Sequence, residues 1–534
     1  MATVLGMAGH LYIINGDLTK VACDALLIPT DSSVYVENHW RPFLRSRGYS
    51  KAASWGPGDV FLSADEKMPH VWLGNIGQPD DHSDFSVFEP TVDAFVARAT
   101  AKVDEVPASE RISPWPKKRL AVNVVGSGQG GGRHKKGNLT LGLVRRLTDI
   151  CAEREIDIVL VTHGEKPYAA AQRARFEVLG DGNEEQGWKF DDRANRDLII
   201  EAKSLADEAK RNQLVLFIGA GISAGVGLPT WDQLLRDGAR RAGFPPEHLE
   251  PLGRKDHRDQ ATLIDRRMRM TSGNQNGKGG SQFKADMAQK LSATGPYSLA
   301  HGLLASLPSK EAVTTNFDVL FEEACRIGDA DIAVLPKNPR ATNGRWLLKL
   351  HGSVDDPQRM VLTRSDYLDM PRRYGALMGL VQGLLMLRKM VFIGYSLSDE
   401  DFHELIDEVR SARGDAPETV RGTVLSLAED ALHKQLWDSD LDIVPMIVGD
   451  FDKGDPREIA LASRELDLFL DLVGYLSTTS ASFFLDETYS DLSAGERDIR
   501  DALKTLAKST ADTDLGPVGQ QVKRFLTGLG ASGD

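Results

Sequence analysis

Leu214-Val215-Leu216-Phe217-Ile218-Gly219-Ala220-Gly221-Ile222-Ser223 decides how the chain is read. Five apolar residues run into a glycine turn, and the turn runs into a helix start. Strand, tight turn and helix in that order place backbone N–H groups and the positive end of a helix around an anion such as a dinucleotide pyrophosphate. Gly219 permits the exit from the strand. Gly221 lets the backbone approach a phosphate, and Ser223 can donate to a phosphate oxygen or cap the helix. The same spacing also fits a strand-to-helix turn that holds no ligand, so the turn alone decides little.

Three later segments repeat the pattern of an apolar strand ending in polar groups. They are Val313-Thr314-Thr315-Asn316-Phe317-Asp318, Leu348-Lys349-Leu350-His351-Gly352-Ser353 and Val391-Phe392-Ile393-Gly394-Tyr395-Ser396. Ligands of open parallel sheets bind beyond the carboxyl ends of the strands. Taken singly, Asn316 reads equally well as a turn residue and His351 as a hydrogen-bonded structural histidine. Four such strand ends in one stretch of chain are what a ligand crevice requires.

The chain around these segments has 534 residues, too many for one core, so two or three domains are expected. A net charge of −13 argues against a surface that coats nucleic acid. Cys23, Cys151 and Cys325 lie far apart and form no CxxC pair, which fits a reducing cytoplasm and no cysteine-held metal. The start of the chain has no basic region followed by an apolar core, so no signal peptide is expected. The apolar stretch from Tyr374 to Leu387 is broken by Gln382 and closed by Arg388 and Lys389, too short to span a bilayer. Leu377, Leu380, Val381 and Leu384 recur at helical spacing there and predict a buried core helix.

Residues 1–180 alternate strands (11–14, 25–28, 120–125, 156–161) with helical patterns, implying a mostly parallel sheet with helical cover. Residues 181–197 are polar and glycine-containing and read as a linker. Residues 198–475 form a second α/β unit, with strands at 214–218, 312–314, 346–350, 390–393 and 423–425. Within it, 271–281 is poor in apolar residues and reads as a mobile loop. Residues 476–534 are a polar extension with helices near 494–507 and 518–529.

The motifs GAGIS (Gly219–Ser223), TTNFD (Thr314–Asp318), LHGS (Leu350–Ser353) and GYS (Gly394–Ser396), in this order, resemble the sirtuin motifs GAGIS, TQNID, HG and GTS. The wider wording, GAGIS-x3-GLPTW and FIGYSLSDEDF, is similar to the sirtuin-like NAD-consuming effectors of bacterial anti-phage defence. The resemblance covers residues 210–430. It implies a Rossmann-like domain that takes NAD as substrate, with Gly219, Ala220, Gly221, Ser223, Pro229, Thr230, Trp231, Thr315, Asp318, Gly394 and Ser396 around the dinucleotide. Asn316 and His351 are its implied catalytic pair. Protein-deacylating sirtuins carry a four-cysteine zinc module, which this chain lacks, and the glutamine of TQNID is Thr315 here. Both departures weigh against deacylation and leave glycosidic cleavage of NAD standing. Sequence alone also leaves open an NAD-dependent transferase and a non-catalytic NAD or ADP-ribose sensor. A cell-damaging NADase must be held off in a healthy cell, so a homo-oligomer or an activating partner is expected.

At the other end, Tyr12-Ile13-Ile14-Asn15-Gly16-Asp17-Leu18-Thr19-Lys20, followed by Cys23-Asp24-Ala25-Leu26-Leu27, resembles the opening of a macro domain. That family has a three-layer fold and binds ADP-ribose and related nucleotides. The resemblance maps its adenine-contacting aspartate onto Asp17, and Gly126–Gly132 with Arg133 onto its phosphate loop. The two asparagines of its second strand become Ile28 and Asp31, which weighs against hydrolysis of ADP-ribose bonds here.

Overall fold

The computed structural model describes residues 8–48, 55–65, 67–77, 84–107, 110–111, 115–127, 132–190, 195–271, 281–292, 295–327, 331–340, 344–395, 400–413, 422–437, 441–489, 492–510 and 516–531. The chain is α/β and divides into two compact units.

The first unit holds strands β1 (Leu11–Asn15), β2 (Ala25–Thr30), β3 (Val60–Leu62), β4 (His70–Asn75), β5 (Arg119–Val122) and β6 (Asp157–Thr162), in the order β1-β6-β5-β2-β4-β3. All neighbours are parallel except the short edge strand β3, which runs antiparallel to β4. Every residue of β4, β5 and β6 is buried, so both faces of the sheet are covered. Phe88 at the N-terminal cap and Val92, Phe95 and Ala99 of one helix (Glu89–Asp104), and Leu139, Leu143, Val144 and Leu147 of another (Lys136–Arg154), build the core with strand residues such as Leu27, Leu120 and Ile158.

The division between the units departs from the boundaries expected at 180 and 475. The first unit contains residues 1–206, 305–307 and 452–534. Helix Pro456–Ser477 explains the difference, because it brings buried charges to partners near the start of the chain. Asp471 accepts hydrogen bonds from Arg175 Nη1 (2.9 Å), Trp188 Nε1 (2.9 Å) and the Ile13 N–H (3.3 Å), and lies 2.8 Å from His10 Nε2. Arg464 makes a two-pronged pair with Asp157, at 2.8 and 2.7 Å. Arg119 donates to Asp467 at 2.9 Å, and burial pushes that carboxyl up to about 6 against the pull of Arg119. Trp188 lies inside the expected linker 181–197, yet it is fully buried, so this segment is part of the first unit's core.

The extension ends in two helices, Ala494–Ser509 and Pro517–Gly528. The first begins with a capping box in which Ser493 and Glu496 satisfy each other's backbone N–H groups.

The second unit holds strands β7 (Leu214–Ile218), β8 (Glu311–Thr314), β9 (Ala333–Leu335), β10 (Trp346–Lys349), β11 (Lys389–Ile393), β12 (Gly422–Ala428) and β13 (Leu441–Ile447). Their order is β13-β12-β11-β7-β8-β10-β9, all parallel. From the central β7 the chain moves to β8, on to the edge strand β9 and back to β10 between them, then crosses to the other side for β11, β12 and β13. The reversal falls between β7 and β11, where open parallel sheets form ligand crevices at the strands' carboxyl ends. Helix Arg364–Leu387 turns Val381, Leu384 and Leu385 inward but leaves Leu380 and Leu387 exposed. The stretch from Tyr374 to Leu387 is therefore a half-buried helix rather than a buried core helix. Most of the expected mobile loop, 272–280, lies outside the described residues. No described helix is long and apolar enough to cross a membrane.

Candidate active site

Register brings the motifs together. Ile393 pairs with Ile218, Ile218 with Thr314, and Thr314 with Lys349. The residues just beyond these four positions, around Gly394, Gly219, Asn316 and His351, therefore emerge along one edge of the sheet. Asn316 and His351 each stand two residues past the paired Thr314 and Lys349.

The β7 and β11 turns are packed backbone to backbone. Gly219 N–H donates to Ile393 O at 2.8 Å, and Gly221 N–H donates to Gly394 O at 2.9 Å. A Cβ at Gly219 would run into the Gly394 carbonyl. Gly394 itself has φ +64°, and a Cβ there would meet the Ile222 nitrogen at 2.7 Å. These glycines are thus required first to let two strand ends touch. Gly221, expected to let the backbone approach a phosphate, has its own N–H spent on that contact. Gly219→Ala is accordingly expected to cost about 1–3 kcal/mol of stability, as overpacking does. Urea denaturation of the variant beside wild type measures it, and an unchanged midpoint would contradict the packing argument.

Ser223, expected to donate to a phosphate or cap the helix, gives its hydroxyl hydrogen to Asp318 Oδ2 at 2.9 Å inside the fold. Asp318 also accepts from the Leu320 N–H at 3.1 Å. Asn316 is held from three sides. Its backbone N–H donates to Thr314 Oγ1 (3.0 Å), and its side-chain nitrogen donates to Gly219 O (3.1 Å) and Ser223 Oγ (3.5 Å). With its amide hydrogens taken, Asn316 Oδ1 is buried and without a partner. A buried carbonyl oxygen in that state costs free energy unless something supplies a donor.

His351 is buried, and its backbone carbonyl accepts from Val361 N–H at 2.9 Å. Its ring stands edge-on to Tyr367, with centroids 5.5 Å apart. It neighbours Phe317 at 6.4 Å, and Phe317 stacks on Trp231 at 6.0 Å. Trp231 is half-buried and also packs on the core around Leu234 and Ile264, so it serves both surroundings. Thr230 caps helix Trp231–Arg241, accepting from Gln233 N–H at 3.3 Å while Gln233 Oε1 accepts from Thr230 N–H at 2.8 Å. Ala220 and Gly221 are exposed, and Pro229, Thr315 and Gly394 half-exposed. Ser396 lies outside the described residues.

Two buried groups escaped the sequence reading. Lys349 donates to Glu322 at 2.8 Å and to the Asp318 carbonyl, tying β10 to the turn after β8. Burial pushes the Glu322 carboxyl up, against the pull of Lys349. His301 lies fully buried on helix Leu299–Ser306, close to Ser223. A single histidine in the apolar run Leu299-Ala300-His301-Gly302-Leu303-Leu304 carries no sequence signal of its own.

In the first unit, Asp17 follows β1 and lies half-buried, with its Oδ1 accepting from the N–H (2.9 Å) and hydroxyl (2.7 Å) of Thr19. Asn15 and Thr162 are paired, so the Asp17 loop emerges beside His163 and Gly164. Of the expected phosphate loop, Gly128–Gly131 lies outside the described residues.

Residues 310–446, which carry β10, β11, β12 and most of the Asn/His edge, match a family model described as a SIR2-like domain. Among related proteins, Defense-associated sirtuin 2 of Bacillus subtilis is 26% identical over 220 residues, which is 40% of this chain and 21% of that protein. NAD(+) hydrolase ThsA of Enterococcus faecium is 26% identical over 221 residues, 39% of this chain and 42% of its own. ThsA of Bacillus cereus is 26% identical over 215 residues, again 39% and 42%. The chain thus spans less than half the length of the curated relatives it matches. The resemblance to sirtuin-like effectors of anti-phage defence holds in these matches, which concern part of the chain only.

Proposed function

We propose that the second unit is an NAD+ glycohydrolase that splits NAD+ into nicotinamide and ADP-ribose, depleting NAD+ in the cytoplasm on phage infection. The unpartnered Asn316 Oδ1 at the sheet edge carries this reading. It is an acceptor fixed in advance for a ribose hydroxyl or for the attacking water. The nicotinamide–ribose bond breaks through an oxocarbenium-like state. What helps it is a pocket that fixes the dinucleotide and places water or a base beside the anomeric carbon. In this reading His351 is the base, acting on a ribose hydroxyl or on the water, as an imidazole suits near neutral pH. The exposed turn at Ala220–Gly221, with Pro229, Thr230, Trp231, Thr315, Gly394 and Ser396, surrounds the dinucleotide. Asp318 and Ser223 support the floor from within. No metal is expected to take part. The names of the ThsA relatives support the same chemistry. Nicotinamide release from NAD by the full chain, followed by chromatography, tests it. Formation of acyl-ADP-ribose from an acyl-lysine peptide instead would favour the transferase alternative.

The first unit we read as a macro-like domain that binds ADP-ribose or a related nucleotide and regulates the enzyme, in a homo-oligomer or with an activating partner. Asp17 at a parallel strand's carboxyl end supports that reading. Calorimetry of the full chain with ADP-ribose is expected to show binding that Asp17→Ala weakens about tenfold or more, the loss expected of a charge-assisted hydrogen bond. Equal binding by both proteins would remove Asp17 from the site.

A further inference from the structure

Ser223, Asn316 and Asp318 meet beneath the crevice, and His301 touches the point where they meet. Its Nε2 lies 3.5 Å from Ser223 Oγ and its Nδ1 2.7 Å from Ser298 Oγ. Ser298 Oγ also accepts from the His301 backbone N–H at 3.3 Å, and Ser223, its one hydrogen given to Asp318, can only accept from the ring. Nδ1 is then the acceptor and Nε2 carries the hydrogen. Burial agrees with a neutral ring, lowering the imidazole to about 4 although Asp318 works the other way.

One direction of donation satisfies every member. Ser298 donates to His301, His301 to Ser223, and Ser223 to Asp318. With its hydrogen committed to Asp318, the Ser223 oxygen has lone pairs left for Asn316 Nδ2. That fixes which way the Asn316 amide faces. The nitrogen points to Gly219 O and Ser223 Oγ, and Oδ1 is turned away, without a partner. Without the hydrogen from His301, Ser223 is held by Asp318 alone, and the Asn316 amide keeps only Gly219 O as a firm contact against the flipped orientation.

We propose that His301 is a positioning residue for NAD cleavage, holding Ser223 so that Asn316 presents its carbonyl oxygen, not its amide nitrogen, to the ribose or the water. The proposal rests on the glycohydrolase reading above and assigns a role to a side chain that meets no substrate.

The test is steady-state nicotinamide release by full-length wild type, His301→Phe, His301→Gln and Ser298→Ala, with kcat and KM read separately and thermal melts alongside. His301→Phe keeps the bulk and deletes the donor. Its kcat is expected to fall about tenfold to a hundredfold, the scale of a misplaced group, with KM for NAD within about threefold of wild type. Glutamine can place an N–H near the position of Nε2, so His301→Gln should recover most of kcat. Ser298→Ala removes the group that sets the tautomer and should fall between the two. If His301→Phe does not fold, an active His301→Gln beside a Ser298→Ala with reduced kcat upholds the proposal. A folded His301→Phe with wild-type kcat, or a folded His301→Gln as slow as His301→Phe, overturns it. Wild type that releases no nicotinamide defeats the glycohydrolase reading and this inference with it. An active wild type beside an equally active His301→Phe defeats the inference alone.

Discussion

His351→Ala lowers the rate of nicotinamide release from NAD by about 10²–10⁴-fold, the usual cost of losing a general base. Asn316→Ala has an effect of similar size for a different reason. Its Oδ1 is the one atom of the Gly219–Ser223–Asn316 network left without a partner, so its removal takes an acceptor from the reacting region. Neither variant should disturb the fold greatly. Asn316→Ala leaves Gly219 O without its side-chain donor, but Ser223 keeps its bond to Asp318. The losses should fall mainly on kcat, because in the proposed reading the exposed turns hold most of the dinucleotide. Residues that act on one reacting centre are not additive, so the double variant should be little slower than the worse single one. Full activity in the double variant would remove both residues from the chemistry.

The largest loss of stability is expected in the first unit. Asp471→Ala leaves Arg175, Trp188 and His10 facing an empty position in a region closed to water. Removing one partner of a buried ion pair costs about 3–5 kcal/mol, because the other charge stays behind uncompensated. Urea titration of full-length protein measures it, and a loss below about 1 kcal/mol would place the pair among weak surface contacts. The pH dependence follows from the same groups. Burial pushes the Asp471 carboxyl up, but Arg175 and His10 outweigh it and hold it below the ordinary carboxylate range. Its contribution is therefore complete above the ordinary range and is lost as pH falls through the depressed value. Asp467, raised to about 6, has the opposite sign and favours the fold as pH drops from 6 toward the ordinary range. Cutting the chain after residue 180 would separate Asp471 and Arg464 from Arg175 and Asp157. Point variants such as Asp17→Ala are the sounder probe of the first unit.

The shared strand edge was legible in the sequence because its strands are parallel and buried on both faces. Such strands read as unbroken apolar runs, and their carboxyl ends carry the chemistry in consecutive residues. Gly219, Asn316, His351 and Gly394 are four cases of that rule. Other strands broke the pattern. β4 follows Pro69 and contains Gly74, and β13 contains Pro445, tolerated because β13 is an edge strand. The unit boundary was hidden for another reason. Arg464, Asp467 and Asp471 read as the wet face of a helix until positions 10, 119, 157 and 175 are known to lie opposite. His301 was silent because its meaning lies in a contact to Ser223 from another segment, not in any local pattern.

The most direct measurement is nicotinamide and ADP-ribose formation from NAD by purified full-length protein, wild type beside Asn316→Ala under identical conditions. Equal amounts of the two products from wild type, with a rate at least about a hundredfold lower in the variant, is the predicted result. Products formed at the same rate by both proteins would contradict the account at its centre.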